Sequence, residues 1–350
     1  MSADTKNKER LVDQFSRTIS YLRLSLTDRC NLRCLYCMPV RHDQGKHLRS
    51  SSILKRDELL SYEELLRIVR LAVSMGMNKL RLTGGEPLVR KGVMDFIRQL
   101  GSIEGLNDIR LTTNGVLLHE NAGLLYEAGI RNINISLDTM RRERFAEITG
   151  RDLFETVWKG IQTAIQAGFH IKLNVVAMKG VNDDEFEAFA GLSLSEPLQV
   201  RFIEFMPLGE KSTWRKKQFI NAEDILKRIA HVGILTPLNR SQFEGPARMY
   251  SITNEDGRKG RIGVISPISH HFCDQCNRLR LTSEGKLRSC LLHDRESDLK
   301  KIIREDCSDD DIKKMIRETI LMKPKGHSLN DNLSRSEQTG CVGQMSKIGG

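Results

Sequence analysis

SYEELLRIVRLAVSMGMNKLRLT, residues 61–83, places one helix directly before one strand. Ser61 with Glu64 three residues later forms a capping box, which satisfies two of the free N–H groups at a helix start. Leu65, Ile68, Val69 and Ala72 then recur at helical spacing, and Gly76 suits the helix end. Lys79 to Thr83 reads as a short strand. The unit recurs on the C-terminal side: strand 109–113, helix 117–128, strand 132–137, helix 154–167, strand 171–177, helix 184–192 and strand 199–206. A further strand, 19–26, comes before it. Strands alternating with helices imply βαβ units and a parallel sheet. About six strands fall short of the eight in a closed barrel. The reading is therefore an α/β fold, a partial (incomplete) TIM-type barrel of about six βα units, with a doubly wound sheet as the alternative.

Polar residues gather where these strands end: Thr83-Gly84-Gly85-Glu86, Thr112-Thr113-Asn114, Ser136 with Asp138, and Glu204. Barrel enzymes put their chemistry at that end. Ordinary loop polarity explains any one of these positions, but recurrence at successive strands favours a site. After Pro207 the pattern changes. Residues 221–231 look helical, and short strand-like runs from 247 to 290 turn at Asp256-Gly257 and Glu284-Gly285. This reads as a smaller C-terminal unit closing the barrel. The expected division is 1–16, an N-terminal extension; 17–220, the core barrel; 221–325, a C-terminal cysteine-bearing region; and 326–350, a tail. Residues 41–58 read as a polar loop. The tail is polar and poor in core residues, which predicts flexibility.

The chain has 350 residues, enough for a buried core in one large or two smaller domains. Hydrophobic residues are 39% and charged residues 29%, values of a globular protein. Lys plus Arg number 55 against 45 Asp plus Glu, and the net charge of +10 favours anionic partners. No apolar run approaches the roughly 20 residues of a membrane helix. Residues 1–14 have no apolar core of a signal peptide. The expected location is cytoplasmic, with no membrane partner.

Eight cysteines stand at 30, 34, 37, 273, 276, 290, 307 and 341. Six fall in two tight groups, which in a reducing compartment points to metal. Cys30, Cys34 and Cys37 lie on one short segment, where three thiolates can each take one iron of a cubane and leave the fourth iron open. A zinc site is the alternative, with His42 or His47 as fourth ligand. Cys273 and Cys276 precede Cys290 by thirteen intervening residues, and His293 follows. Spacing alone slightly favours a Cys3His zinc site there. Such a site, with the positive charge, would suit a zinc-binding nucleic-acid protein instead of an enzyme.

Cys30-x3-Cys34-x2-Cys37 with Tyr36 before the last cysteine, followed by Gly84-Gly85-Glu86-Pro87, resembles the radical S-adenosylmethionine (SAM) superfamily. Cys276-Asn277-Arg278-Leu279-Arg280 with Cys290 resembles one family within it, the GTP cyclases of molybdenum cofactor synthesis. So do Leu24 to Asp28, Arg81 to Pro87, Thr112 to Gly115, Ile135 to Asp138, Phe202 to Met206 and the ending Met345 to Gly350. The resemblance implies two 4Fe-4S clusters at opposite ends of one cavity: Cys30, Cys34 and Cys37 for the cluster that binds SAM, and Cys273, Cys276 and Cys290 for one that meets the substrate. It implies a 5′-deoxyadenosyl radical that removes the ribose C3′ hydrogen of GTP, with closure onto guanine C8 to give 3′,8-cyclo-7,8-dihydro-GTP. Tyr36, Gly85, Ser136 and Met206 would contact SAM. Arg23, Lys79, Arg81, Thr112, Lys172, Arg278, Leu279 and Arg280 would contact GTP, and Gly349 and Gly350 would reach into the active site as catalytic residues. The implied partner is cyclic pyranopterin monophosphate synthase downstream, without nucleic acid, and a homodimer stands open beside a monomer.

Overall fold

The computed structural model describes residues 10–37, 42–43, 46–47, 53–208, 216–239, 245–327, 341 and 343–349. Six parallel strands form the centre of its main sheet. They are β1 (Tyr21–Ser25), β4 (Lys79–Thr83), β5 (Asp108–Thr113), β6 (Asn132–Ser136), β7 (His170–Ala177) and β8 (Leu198–Glu204). A separate two-strand hairpin pairs β2 (His42–Asp43) with β3 (Lys46–His47). The other positions of the 41–52 stretch, and the side chains of His42 and His47, lie outside the described residues.

The helices between the strands bury one face each. α1 (Tyr62–Ser74) begins at the expected box: the Glu64 N–H donates to Ser61 Oγ at 3.2 Å, and the Ser61 N–H donates to Glu64 Oε2 at 2.5 Å. Its stripe of Leu65, Ile68, Val69 and Ala72 is buried. α2 (Val93–Gly101), α3 (Leu118–Glu127), α4 (Arg142–Thr149), α5 (Phe154–Gln166) and α6 (Phe186–Ser195) follow in turn. On each strand the outward-pointing apolar side chains, such as Leu22, Leu24, Leu80, Leu82, Ile133 and Leu173, join one core with these helices. Each fully buried Leu or Ile contributes about 1.5–3 kcal/mol of transfer free energy.

The C-terminal part does more than cap this core. After α7 (Ala222–Ile229) come β9 (Ile234–Pro237), β10 (Arg248–Thr253) and β11 (Lys259–Ile265), and β11 pairs parallel with β8 at one edge. The chain then crosses to the opposite edge, where β12 (Arg278–Leu281) pairs parallel with β1. The full order is β14-β13-β12-β1-β4-β5-β6-β7-β8-β11-β10-β9, with β13 (Lys286–Arg288) and β14 (Ser297–Asp298) antiparallel outside β12. Eight adjacent strands are thus parallel, two more than the alternation implied. The helical period cannot reveal β11 and β12, because no helix joins them. Their connection, residues 266–277, carries Cys273 and Cys276 from the C-terminal end of β11 to the N-terminal end of β12. Glu204, fully buried at the end of β8, anchors this layout: it accepts the Ala222 N–H at 3.0 Å and the N–H groups of Ile268 and Ser269 at 2.9 and 3.0 Å. That strand-end carboxylate joins the two parts of the chain.

α8 (Leu299–Arg304) and α9 (Asp309–Leu321) complete the packing, and α10 (Met345–Ile348) is a single turn near the chain end. No helix among the described residues is long and apolar enough to cross a membrane. The described part of the N-terminal segment, from residue 10, packs against the core. Leu11 is buried, and Arg17 is held by Asp13 in an ion pair of 2.5 Å.

Candidate active site

Side chains alternate along a strand, so positions facing away from the helices share one parity. The register brings those positions into rows across the sheet. Arg278, Tyr21, Lys79 and Asp108 form one row. Arg280, Arg23, Arg81 and Arg110 form the next, one step towards the strand C-termini. Thr83 lies beyond Arg81, and the row Thr112, Asn134, Lys172 follows on β5 to β7. Asn174 and Arg201 pair beyond that. Except for Asp108 and Lys172, these residues line one cavity of about 330 Å³ that reaches both cysteine groups.

One wall is crowded with cations. Lys79 and Arg110 share Asp108, at 3.3 and 2.7 Å. Arg81 donates through Nε to the Tyr21 hydroxyl at 2.5 Å and through Nη1 to Thr112 Oγ1 at 3.2 Å. Burial holds Arg23 down at about 10, and burial with the neighbouring Arg23 and Arg278 holds Arg280 well below its usual value. Lys172 is buried and brought down to about 7, first by burial and then by Arg201, Arg110, Arg81 and Lys79. So many cations beside one carboxylate make a cavity suited to a polyanion, and guanidinium forks match phosphate oxygens.

Cys30, Cys34 and Cys37 sit past the C-terminal end of β1, half-buried at the cavity's upper end. Their loop is pinned by the end of α4, where the N–H groups of Arg33 and Leu35 donate to Thr149 O at 2.7 Å and Ile148 O at 3.0 Å. Gly84 and Gly85 lie flush against the same loop. The Gly85 N–H donates to Thr27 O at 2.6 Å, and a Cβ on Gly85 would overlap the Arg29 carbonyl. The close approach needed here is therefore backbone to backbone. Glu86, fully buried, accepts the N–H groups of Leu88 at 3.1 Å and Asn114 at 2.7 Å and the Thr113 hydroxyl at 2.8 Å, and burial pushes it up to about 7. Asn114 in turn donates to Asn31 Oδ1 at 2.7 Å and to Cys30 Sγ at 3.5 Å. Tyr36 donates to Asp138 Oδ2 at 2.6 Å, and Asp138 also accepts the Val176 N–H at 2.8 Å.

Burial and then Glu86 raise Cys30, and the other two thiols are raised in part by their neighbours. Burial and then Cys37 hold Cys34 well above its usual value, and burial and Cys30 push Cys37 up to about 12. Such thiols become thiolates only against strong positive charge, as iron supplies. No three His, Cys, Asp or Glu side chains among the described residues stand close enough to hold a single metal ion. The all-thiol donor set fits a multi-iron cluster spread over several centres.

Cys273, Cys276 and Cys290 line the lower end of the cavity. Burial would raise Cys276, but Arg278 and then Lys323 bring it down to about 6. Lys323 donates to Arg278 O at 2.9 Å and Ser289 O at 2.5 Å, and Arg17 donates to Cys273 O at 2.8 Å and Pro324 O at 2.7 Å. Two cations from distant parts of the chain thus support this loop, and neither belongs to a recognisable motif. His293 lies in an outer groove with His271 and His327, and its Nδ1 accepts the Arg295 N–H at 3.3 Å.

Of the residues singled out from sequence, Arg23, Tyr36, Lys79, Arg81, Gly85, Thr112, Ser136, Met206, Arg278 and Arg280 line the cavity. Lys172 stands beside them in the register between Asn134 and Gln199. Leu279 does not join them: strand alternation turns it into the apolar core. Gly349 is buried beside the site, its carbonyl accepting from Arg280 Nη1 at 2.7 Å. With φ of +77°, it lies where a Cβ would overlap Thr83 Oγ1. Composition predicted flexibility for this stretch, yet the Ser283 N–H holds Lys347 O at 3.0 Å. Gly350 lies outside the described residues. Cys341 is buried against Arg288 at 3.4 Å, and Cys307 lies behind α1, so neither lines the cavity. Tyr21, Arg110, Asn134, Asn174 and Arg201 were not singled out, though the same strand parity that marks Arg23 and Arg81 would have found them.

Two family models match the chain: the radical SAM superfamily over residues 24–192 and Molybdenum Cofactor Synthesis C over residues 198–329. Relatives named GTP 3′,8-cyclase match at 47% identity in Thermodesulfovibrio yellowstonii and 45% in Pelotomaculum thermopropionicum, each over 97% of this chain and 99% of the relative. Among solved structures, Streptococcus suis SuiB bound to S-adenosylmethionine superposes with a TM-score of 0.58 at 14% identity, covering 92% of this chain and 76% of that one. That likeness supports the fold.

Proposed function

The chain belongs to the GTP 3′,8-cyclase family of the radical SAM superfamily, and on that footing we propose that it joins ribose C3′ to guanine C8 within one GTP molecule, the first committed step towards molybdenum cofactor. The observation that carries this reading is the pair of thiol triplets at opposite ends of one cation-rich cavity. Cys30, Cys34 and Cys37 would hold the cluster that binds S-adenosylmethionine, and Cys273, Cys276 and Cys290 a second, substrate-facing cluster. When bound, the first cluster with S-adenosylmethionine supplies the one-electron chemistry that removes a ribose hydrogen.

The chain's own residues bind and orient. Tyr36, Gly85, Ser136 and Met206 line the end near the first triplet and shape the S-adenosylmethionine pocket. Arg23, Lys79, Arg81, Lys172, Arg278 and Arg280 hold the triphosphate, with Thr112 fixing Arg81. Leu279 contributes through its backbone, since its side chain is in the core. Gly349 is bonded to Arg280 of the phosphate-binding row, and it acts in catalysis with Gly350. Holding both reacting carbons in one cavity turns the ring closure into a proximity-driven step. The product would pass to cyclic pyranopterin monophosphate synthase, in the cytoplasm and without nucleic acid or membrane. The test is anaerobic incubation of the iron- and sulfide-loaded protein with GTP, S-adenosylmethionine and a low-potential reductant. A product isomeric with GTP, formed with matching 5′-deoxyadenosine, supports the reading. Cleavage of S-adenosylmethionine with GTP left intact refutes it.

A further inference from the structure

Tyr21 is buried, faces the cavity and belongs to none of the motifs above. Its surroundings are unusual for a phenol. Arg81 Nε donates to its hydroxyl at 2.5 Å, and the positive charge of Arg23, two residues along the same strand face, acts on the same phenol. The Lys79 ammonium stands 5.0 Å over its ring, and Arg278 is its register partner on β12. The nearest carboxylate in the rows is Asp108 on β5, already shared by Lys79 and Arg110. Charged groups therefore face Tyr21 from β1, β4 and β12, and all of them are cations.

A neutral phenol accepting the Arg81 guanidinium, with Arg23 and Lys79 beside it, keeps a proton that none of these neighbours can accept. A phenolate satisfies the same donors and offsets part of a row of like charges that would otherwise repel one another inside the protein. From this geometry we infer that Tyr21 is the resident counter-anion of the empty phosphate-binding wall: its phenolate holds Arg23 and Arg81 in place, and it takes up a proton when the substrate's triphosphate becomes their partner. The proton comes from solvent, the phenolate oxygen gains an O–H bond, and no other bond changes. Burial would raise the phenol, but Arg81 and Arg23, with Lys79 adding to them, bring it down to about 7, in line with this arrangement. Tyr21 is a positioning residue on this account. The inference rests on the proposed function only in naming GTP as the polyanion.

Calorimetric titration of GTP into the cluster-loaded protein at about pH 8, in two buffers of different ionisation enthalpy, counts protons taken up per ligand bound. The wild type should take up protons, and Tyr21→Phe, which keeps the ring over which Lys79 sits, should take up about one fewer. Lys172 also titrates near this range, so Lys172→Met separates the two contributions: uptake of about one proton should persist in it. Equal uptake in wild type and Tyr21→Phe overturns the inference, as does complete loss of uptake in Lys172→Met. Should Tyr21→Phe fail to fold, the Lys172→Met result decides. Inorganic tripolyphosphate, titrated in parallel, separates this inference from the function. Tyr21-dependent uptake with tripolyphosphate but no binding of GTP sinks the GTP reading and sustains the counter-anion. No uptake with either ligand sinks the counter-anion.

Discussion

Replacing Glu86 by Gln preserves shape and removes one acceptor. Glu86 uses two oxygens for three buried donors: Oε1 takes the Leu88 N–H and the Thr113 hydroxyl, and Oε2 takes the Asn114 N–H. A glutamine has one oxygen. In either amide orientation a buried N–H, of Asn114 or of Leu88, then faces an amide nitrogen. An unsatisfied buried donor costs about 1–3 kcal/mol. A loss of about 2 kcal/mol lowers the melting temperature by roughly 4 °C or somewhat less in a chain of this size. The effect should spread to the cluster loop, because Asn114 bridges to Asn31 and Cys30 at 2.7 and 3.5 Å. Differential scanning calorimetry of the anaerobic protein, with iron counted on the same sample, measures both. An E86Q protein that melts within about 1 °C of wild type and keeps all its iron would refute the claim that this carboxylate ties the Gly-Gly turn to the cysteine loop.

Three further outcomes follow from side-chain placement. Leu279→Ala should destabilise the protein by about 2–5 kcal/mol, as a core truncation does, with GTP affinity little changed; weaker GTP binding at full stability would put its side chain in the site. The affinity for GTP should fall as pH rises through about 7, where buried Lys172 loses its charge, and Lys172→Met should make that slope shallower in a pH series of binding isotherms, leaving the part that Tyr21 contributes. The direction is set by Lys172 being lowered: its charge is complete only below that pH. Gly349→Ala should keep both the iron content and the fold while slowing turnover, because a Cβ there collides with Thr83; unchanged steady-state rates would show that the Arg280–Gly349 contact serves only packing.

The six central strands were legible because strand-like and helical runs alternate along the chain, most plainly in residues 61–83, although α2 and α4 were not singled out. The cysteine triplets were legible because six of the eight thiols fall in two close groups. β11 and β12 fall within the strand-like runs of 247–290, but their place beside β8 and β1 was hidden, because no α-helix joins them and the chain crosses the whole parallel sheet between them. The cation rows were half visible: Arg23 and Arg81 stood out by motif, whereas Arg110 and Arg201 needed the register that aligns them. Glu86, Asp138 and Glu204 show the opposite case. They looked like chemistry at strand ends, yet their carboxylates are used up by neighbouring donors, among them the Tyr36 hydroxyl. Arg17 and Lys323 support the second cysteine loop from near the two ends of the chain, a link that local sequence cannot carry.

The central claim is that two thiol triplets each hold a four-iron cluster around one GTP-binding cavity. Iron and zinc counted per chain after anaerobic reconstitution, in wild type and in Cys273→Ala, test it most directly. The account predicts about eight irons falling to about four, with no zinc, and loss of GTP binding in the variant. About four irons and one zinc in the wild type would leave the first cluster standing and contradict the substrate-facing second one.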